Sequence, residues 1–211
     1  MNTKKTPLRA VVLLSGSGTT LQNLIDRRER GELPIDIVLV IASREDAYGL
    51  ERAQKHNIPA QVISRKQFAS WKEFNQALSL AVENAQPDLI LFAGFMSLFR
   101  PDPKWYGRIM NVHPALIPSF CGKGMYGHHV HEAVIESGVK ITGATVHFVD
   151  ENYDTGPIIL QKVVEVRDDD SPNSLAERVQ AAEREIYPEA IRLFAENRLR
   201  IEGKRVKIVP L

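Results

Sequence analysis

Asn111 and His113 stand two residues apart at the end of an apolar run, in Arg108-Ile-Met-Asn-Val-His-Pro-Ala-Leu-Ile-Pro118. Strand side chains alternate, so both project to the same side at the strand's carboxyl end. Pro114 cannot continue a ladder and closes the run. An amide donor beside a titratable imidazole suits a reaction that builds negative charge on an oxygen. The amide holds the oxyanion, and the imidazole donates or accepts a proton near neutral pH. A core histidine and a turn asparagine would read the same in isolation, so the rest of the chain must decide.

A second candidate is Ser15-Gly-Ser-Gly-Thr-Thr20, between the apolar run 9–14 and a helix pattern with Leu21, Leu24 and Ile25 on one face. Strand, glycine loop and helix together can hold an anion on backbone N–H groups and the positive helix end. The full dinucleotide fingerprint is absent. Leu21 stands where its third glycine should be, and Ser43-Arg44 occupies the place of the acidic residue after the second strand. The reading is a phosphate site with a weak case for a nicotinamide cofactor; on the loop alone, a tight turn fits equally well.

The elements that must position these groups alternate. Strands are expected at 9–14, 35–42, 60–63, 88–92, 108–112, 142–149, 157–166 and 205–209. Helices are expected at 21–25 and beyond, 50–56, 71–84, 128–138, and from Ser171-Pro172 to Phe194 with an interruption near Pro188. Residues 119–127, with three glycines and no periodicity, read as a mobile loop. The pattern predicts an α/β fold, Rossmann-like and doubly wound, with a mainly parallel sheet flanked by helices. The strands at 142–149 and 157–166 could form a hairpin or adjacent edge structure.

The bulk numbers agree with one domain. The chain has 211 residues and is 44% hydrophobic, with 27 Lys+Arg against 26 Asp+Glu. That balance argues against a nucleic-acid partner. One cysteine excludes an internal disulfide. With no signal peptide and no membrane-length apolar run, a cytoplasmic protein without a membrane partner is expected.

Five motifs then occur in a familiar order: Ser15-Gly-Ser-Gly-Thr-Thr-Leu-Gln22, Ala93-Gly-Phe-Met96, Asn111-Val-His-Pro114, Val146-His-Phe-Val149 and Asp154-Thr-Gly-Pro-Ile-Ile-Leu-Gln161, with Glu183-Arg-Glu-Ile-Tyr-Pro188 near the end. Together they resemble the phosphoribosylglycinamide formyltransferase family over nearly the whole chain. The resemblance implies a single formyltransferase domain, 1–211, with a phosphate-binding half at 1–100 and a catalytic, folate-binding half at 101–211. It implies formyl transfer from 10-formyltetrahydrofolate to the amine of glycinamide ribonucleotide, without a metal, by a monomer or homodimer.

By the same resemblance Asn111, His113 and Asp154 are the catalytic set, with Asp154 raising the His113 pKa. Gly18, Thr19, Thr20 and Glu183 meet the phosphate and ribose. Met96, Ser97, Leu98, Phe99, Asn111, Asp150, Glu151, Asn152 and Tyr153 surround the folate. Ser17 and Thr20 replace two asparagines of the usual phosphate loop. An arginine that often meets the folate tail is replaced near Trp71 or Lys72, and Ser97 stands where the family often has another. The loop after Pro118 departs most, and Ile117-Pro118 is a candidate cis bond. Cys121 has no base adjacent in sequence to make it a nucleophile. His128 and His131, with Cys121 near, do not supply an evident metal set.

Other readings stand beside this one. A formyltetrahydrofolate hydrolase would need a regulatory domain before the first strand, and a methionyl-tRNA formyltransferase a C-terminal β-barrel and a more basic surface. An amino-sugar formyltransferase shares the catalytic set. A non-catalytic folate- or nucleotide-binding module would bind without turnover.

Overall fold

The computed structural model describes residues 6–210. The chain divides into two compact units, Met1–Phe99 and Arg100–Leu211.

The first unit alternates strands and helices: β1 (Leu8–Leu14), α1 (Thr19–Glu29), β2 (Ile35–Ala42), α2 (Gly49–Lys55), β3 (Ala60–Val62), a 3-10 turn (Arg65–Gln67), α3 (Trp71–Ala85) and β4 (Leu89–Phe92). The strands lie in the order β3-β2-β1-β4, all parallel. Ala10 to Leu14 and Leu89 to Leu91 are fully buried, as strands covered on both faces must be. With this strand order, the right-handed rule for parallel crossovers puts α1 and α2 on one face and α3 on the other, a doubly wound arrangement. Ser70 caps α3 by accepting from the Glu73 N–H at 3.2 Å. At the far end of α3, Arg9 Nη2 and Nε donate to the Ala85 and Gln86 carbonyls at 2.7 and 3.0 Å. These bonds satisfy acceptors that a helix end leaves open.

The second unit holds a 3-10 turn (Pro103–Trp105), β5 (Ile109–His113), α4 (His128–Ser137), β6 (Ile141–Phe148), β7 (Ile158–Glu165), α5 (Pro172–Ala195), β8 (Leu199–Glu202) and β9 (Arg205–Ile208). Its order is β5-β6-β7-β9-β8. β5 with β6, β6 with β7 and β8 with β9 are antiparallel; β7 with β9 is parallel. The strands at 142–149 and 157–166 are thus direct neighbours. α5 packs on β6 and β7, and the Tyr187 hydroxyl donates to the Met110 carbonyl at 2.9 Å.

Two expectations need correction. α5 is not interrupted at Pro188, which sits inside one continuous helix. Ile186, Tyr187, Pro188, Ala190 and Ile191 are all buried there, and tertiary packing outweighs the one hydrogen bond that proline removes. The terminal strand at 205–209 also has a partner that the sequence pattern did not announce. β8 is mostly exposed and lacks alternation, and it pairs with β9 through a turn at Gly203, φ 60.

Candidate active site

The register of β5 on β6 sets Asn111 opposite His147 and His113 opposite Thr145. Asn111 Nδ2 donates to His147 Nε2 at 3.2 Å. The other ring nitrogen gives the direction: His147 Nδ1–H donates to the Phe148 carbonyl at 2.8 Å, which leaves Nε2 as acceptor. His147 Nε2 also lies 3.6 Å from Asp154 Oδ1. His113 is buried; its Nε2–H donates to the Phe120 carbonyl at 2.8 Å, so Nδ1 faces Asp154 Oδ2 at 3.7 Å. The Gly122 N–H donates to that same Oδ2 at 2.9 Å. Asn111, His113 and Asp154 are therefore brought together, with His147 bridging amide and carboxylate. Asp154 takes a left-handed φ of 56°, uncommon for aspartate and frequent where a functional group is aimed.

Burial pushes the His113 pKa down, and neither the Asp154 charge nor the Phe120 carbonyl offsets it. This corrects the expectation of a raised His113 pKa. Asp154 acts upward as foreseen, but loss of water solvation is the larger effect. For Asp154 itself burial pushes upward; His147, the His113 imidazole and the Gly122 N–H together outweigh it and hold the carboxyl below its usual range.

The turn after β5 is held from β6 and β7. Thr145 Oγ1 donates to the Ala115 carbonyl at 2.6 Å and accepts from the Ile117 N–H at 3.1 Å. Gln161 Nε2 donates to the Ile117 carbonyl at 3.0 Å and to Thr145 Oγ1 at 2.9 Å. Ile117-Pro118 is cis. His147, Thr145 and Gln161 were not singled out from the sequence. The alternation of Thr145 and His147 along one strand was the available signal.

The segment before Asp154 is a turn. Asp150 Oδ1 accepts from the Asn152 N–H at 3.0 Å and the Thr155 hydroxyl at 2.7 Å, so this carboxylate holds the turn while Asp154 faces the histidines. Glu151 accepts from the Tyr106 hydroxyl at 2.5 Å. Asn152 and Tyr153 are exposed. A Cβ at Gly156 would sit 1.8 Å from the Phe148 carbonyl oxygen, so only glycine fits.

The Cys121 S–H donates to the Pro118 carbonyl at 3.2 Å, and burial, with the Asp154 charge, pushes its thiol up. A thiol held protonated is a poor nucleophile. His128 and His129 lie 3.5 and 3.2 Å from Glu132. His131 turns inward, and burial first, then the His128 and His113 charges, lower its pKa to about 4. Lys123 is exposed. On α5, burial raises the half-buried Glu183 to about 7, against a smaller opposing effect of Arg184.

In the first unit, Gly18 is left-handed at φ 70, immediately before Thr19 and Thr20 open α1. The first turn of α1 carries no side-chain cap and no acidic residue, so its N–H groups suit an anion. Arg52, missed in the sequence, braces the loop: its Nε donates to the Ser17 carbonyl at 2.9 Å. The Ser15 hydroxyl shares a 2.6 Å bond with Ser43 and accepts from the Met96 N–H at 2.8 Å. That ties the ends of β1 and β2 to the segment after β4. Met96 is exposed, and Ser97 and Leu98 are half-buried. Phe99 is buried against Phe92, with ring centroids 6.3 Å apart, and supports the segment from within.

Residues 8–191 match the formyl transferase family. A solved structure of glycinamide ribonucleotide transformylase 1 from Symbiobacterium toebii superposes with a TM-score of 0.90 at 43% identity, covering 97% of this chain and 95% of that one. Phosphoribosylglycinamide formyltransferase of Haemophilus influenzae is 38% identical over 196 residues, 92% of this chain and 90% of that protein. The human trifunctional purine biosynthetic protein adenosine-3 is 39% identical over 207 residues, 97% of this chain; the chain spans only 20% of that relative's length. The chain belongs to the formyl transferase family.

Proposed function

We propose that the chain transfers the formyl group of 10-formyltetrahydrofolate to the amine of glycinamide ribonucleotide, in purine synthesis. The Haemophilus relative, matched over nearly its full length, supports the reaction. The observation that carries it is the chain of contacts Asn111–His147–Asp154–His113, an oxyanion donor joined to an imidazole–carboxylate pair.

The amine lone pair attacks the formyl carbon, a C–N bond forms, and the carbonyl electrons move onto oxygen. Asn111 Nδ2 donates to that oxygen. His113 starts neutral, as its lowered pKa requires. It takes the proton that the attacking nitrogen loses and returns it to the leaving folate nitrogen as the C–N10 bond breaks. Asp154 stabilises the transient imidazolium. The His113 Nε2–H now donates to Phe120, so that carbonyl must yield and the ring proton must sit on Nδ1, beside Asp154, before Nε2 can face a substrate as a base. Gly18, Thr19 and Thr20 hold the phosphate and Glu183 the ribose. Met96, Ser97 and Leu98 wall the folate ring with Phe99 beneath, and Asp150, Glu151, Asn152 and Tyr153 offer mainly backbone groups to the pteridine. In this reading 1–100 is the phosphate-binding half and 101–211 the catalytic half of one cytoplasmic enzyme, acting as monomer or homodimer.

The test is formyl transfer from 10-formyltetrahydrofolate with and without glycinamide ribonucleotide, followed by absorbance and product mass. Turnover that requires the ribonucleotide is expected. Folate consumption without acceptor would make the protein a hydrolase. No turnover in either case would move the acceptor to another amine, amino-sugar nucleotides first, or leave a binding module.

A further inference from the structure

The loop that opens α1 is held from α2. The Gly49 N–H at the start of α2 donates to the Gly16 carbonyl at 3.1 Å, and Arg52, one turn on, donates from Nε to the Ser17 carbonyl at 2.9 Å. Two successive loop carbonyls are thus tied to one helix. The Ser17–Gly18 peptide is trans and planar, so the grip on its carbonyl also fixes where the Gly18 N–H points. Arg52 is itself held in place. Its guanidinium carbon lies 4.9 Å from the centre of the Tyr48 ring, and its Nη1 donates to Gln22 Oε1 at 3.1 Å.

Gln22 is aimed as well. Its Nε2 donates to Asp26 Oδ1 at 2.8 Å and lies 3.1 Å from His56 Nε2. His56 Nδ1 lies 2.7 Å from Glu29 Oε1, and a carboxylate only accepts, so Nδ1 carries the hydrogen and Nε2 of the neutral ring accepts from Gln22. Both amide hydrogens are then used, and Oε1 is left for Arg52. The flipped amide would set its oxygen against the Asp26 carboxylate and its N–H groups against the guanidinium. The backbone N–H of Gln22 donates to the Gly18 carbonyl at 2.9 Å, so the same residue closes the first turn of α1 and steadies the arginine. We infer that Arg52 and Gln22 are positioning residues for the ribonucleotide phosphate. Arg52 sets the loop whose N–H groups receive the anion, and Gln22, oriented by Asp26 and His56, sets Arg52. The inference rests on the phosphate reading of Gly18, Thr19 and Thr20.

The experiment is titration calorimetry of the full chain with glycinamide ribonucleotide and with the ribonucleoside that lacks its phosphate. It compares wild type, Arg52→Met, Arg52→Lys, Gln22→Met and Arg52→Met/Gln22→Met, with Tm recorded for each. Arg52→Met should weaken ribonucleotide binding about tenfold and Gln22→Met about threefold, while affinity for the ribonucleoside keeps its wild-type value. The double variant should bind no more weakly than Arg52→Met, since Gln22 acts through Arg52. Arg52→Lys should stay near Arg52→Met, because an ammonium is a point charge and does not reproduce the fixed fork that holds carbonyl and amide together. Wild-type binding in Arg52→Lys would make bare charge sufficient and overturn the positioning role. Equal losses for nucleotide and nucleoside, or additive losses in the double variant, would overturn it too. Parallel formyl-transfer assays separate the readings. If all variants bind the ribonucleotide as wild type does, the positioning role fails and the transfer reading stands. If the variants bind as stated but wild type transfers no formyl group, the transfer reading fails and the positioning role stands. If wild type binds nucleotide and nucleoside alike, the phosphate reading fails and the positioning role with it.

Discussion

Asn111 and His147 face each other across β5 and β6, joined by a 3.2 Å hydrogen bond from the amide to Nε2. Because His147 Nδ1 is committed to the Phe148 carbonyl, this bond selects which end of the Asn111 amide is nitrogen. His147→Ala should free the amide to rotate. A misplaced oxyanion donor lowers kcat by on the order of 10²-fold, with KM for both substrates little changed. Steady-state kinetics on both substrates checks this, and an unchanged kcat would remove His147 from the positioning role.

Asp154 is the largest influence holding the His113 pKa up against burial. Asp154→Asn deletes that influence, so the His113 pKa moves further below 6.5 and the neutral imidazole persists to lower pH. The His113 ring-proton shift, followed by NMR across pH 4 to 8, is expected to show a lower midpoint in the variant. An upward move would contradict the pairing. Loss of the charge that stabilises the transient imidazolium should lower kcat by about 10²–10⁴-fold.

Glu183 is raised from 4.5 to about 7, so between those values the folded state binds the proton more tightly than the unfolded chain. Stability is then present below 4.5 and lost as pH rises through 7. At about 1.4 kcal/mol per unit, the penalty above pH 7 is on the order of 3 kcal/mol. Gln cannot ionise, so Glu183→Gln should raise Tm by several degrees at pH 8 and hardly at pH 4.5, measured by calorimetry. Equal Tm at pH 8 would refute a buried charge. A carboxylate that destabilises its own fold suits a ligand contact.

Gly18 has no room for a side chain: a Cβ would lie 2.6 Å from the Gly49 Cα, at φ 70. Gly18→Ala should destabilise the protein by about 1–3 kcal/mol through left-handed strain and displacement of α2. It should also raise KM for the ribonucleotide at least about tenfold while kcat at saturation is largely kept, since the contact is to the phosphate. A KM equal to wild type would remove the phosphate from this loop.

Much of the fold was legible because buried strands and amphipathic helices leave periodic signals. β2 was read to the residue as 35–42, and α3 to within one residue at its end. Pro188 and β8 were not legible. Helix continuity through Pro188 depends on apolar neighbours packed around it, and β8 is an exposed edge strand without alternation. At the site, Asn111 and His113 were legible as two polar groups on one side of an apolar strand. Arg52 and Gln161 were not, because each reaches its target from a distant part of its own unit: Arg52 the Ser17 carbonyl, Gln161 the Ile117 carbonyl.

The sequence by itself determined the alternation of elements, the glycine loop before α1 and the spacing of Asn111 and His113, since these depend on local sterics and side-chain period. Residue spacing left Asp150 and Asp154 equal, the family resemblance chose Asp154, and the tertiary structure gives the physical reason. Asp150 and Asp154 share one turn, and only pairing of β6 with β7 turns the second toward two imidazoles while the first closes the loop. Tertiary structure alone decided the His113 pKa, because burial and charge act in opposite directions there and only their balance in the folded chain sets the sign.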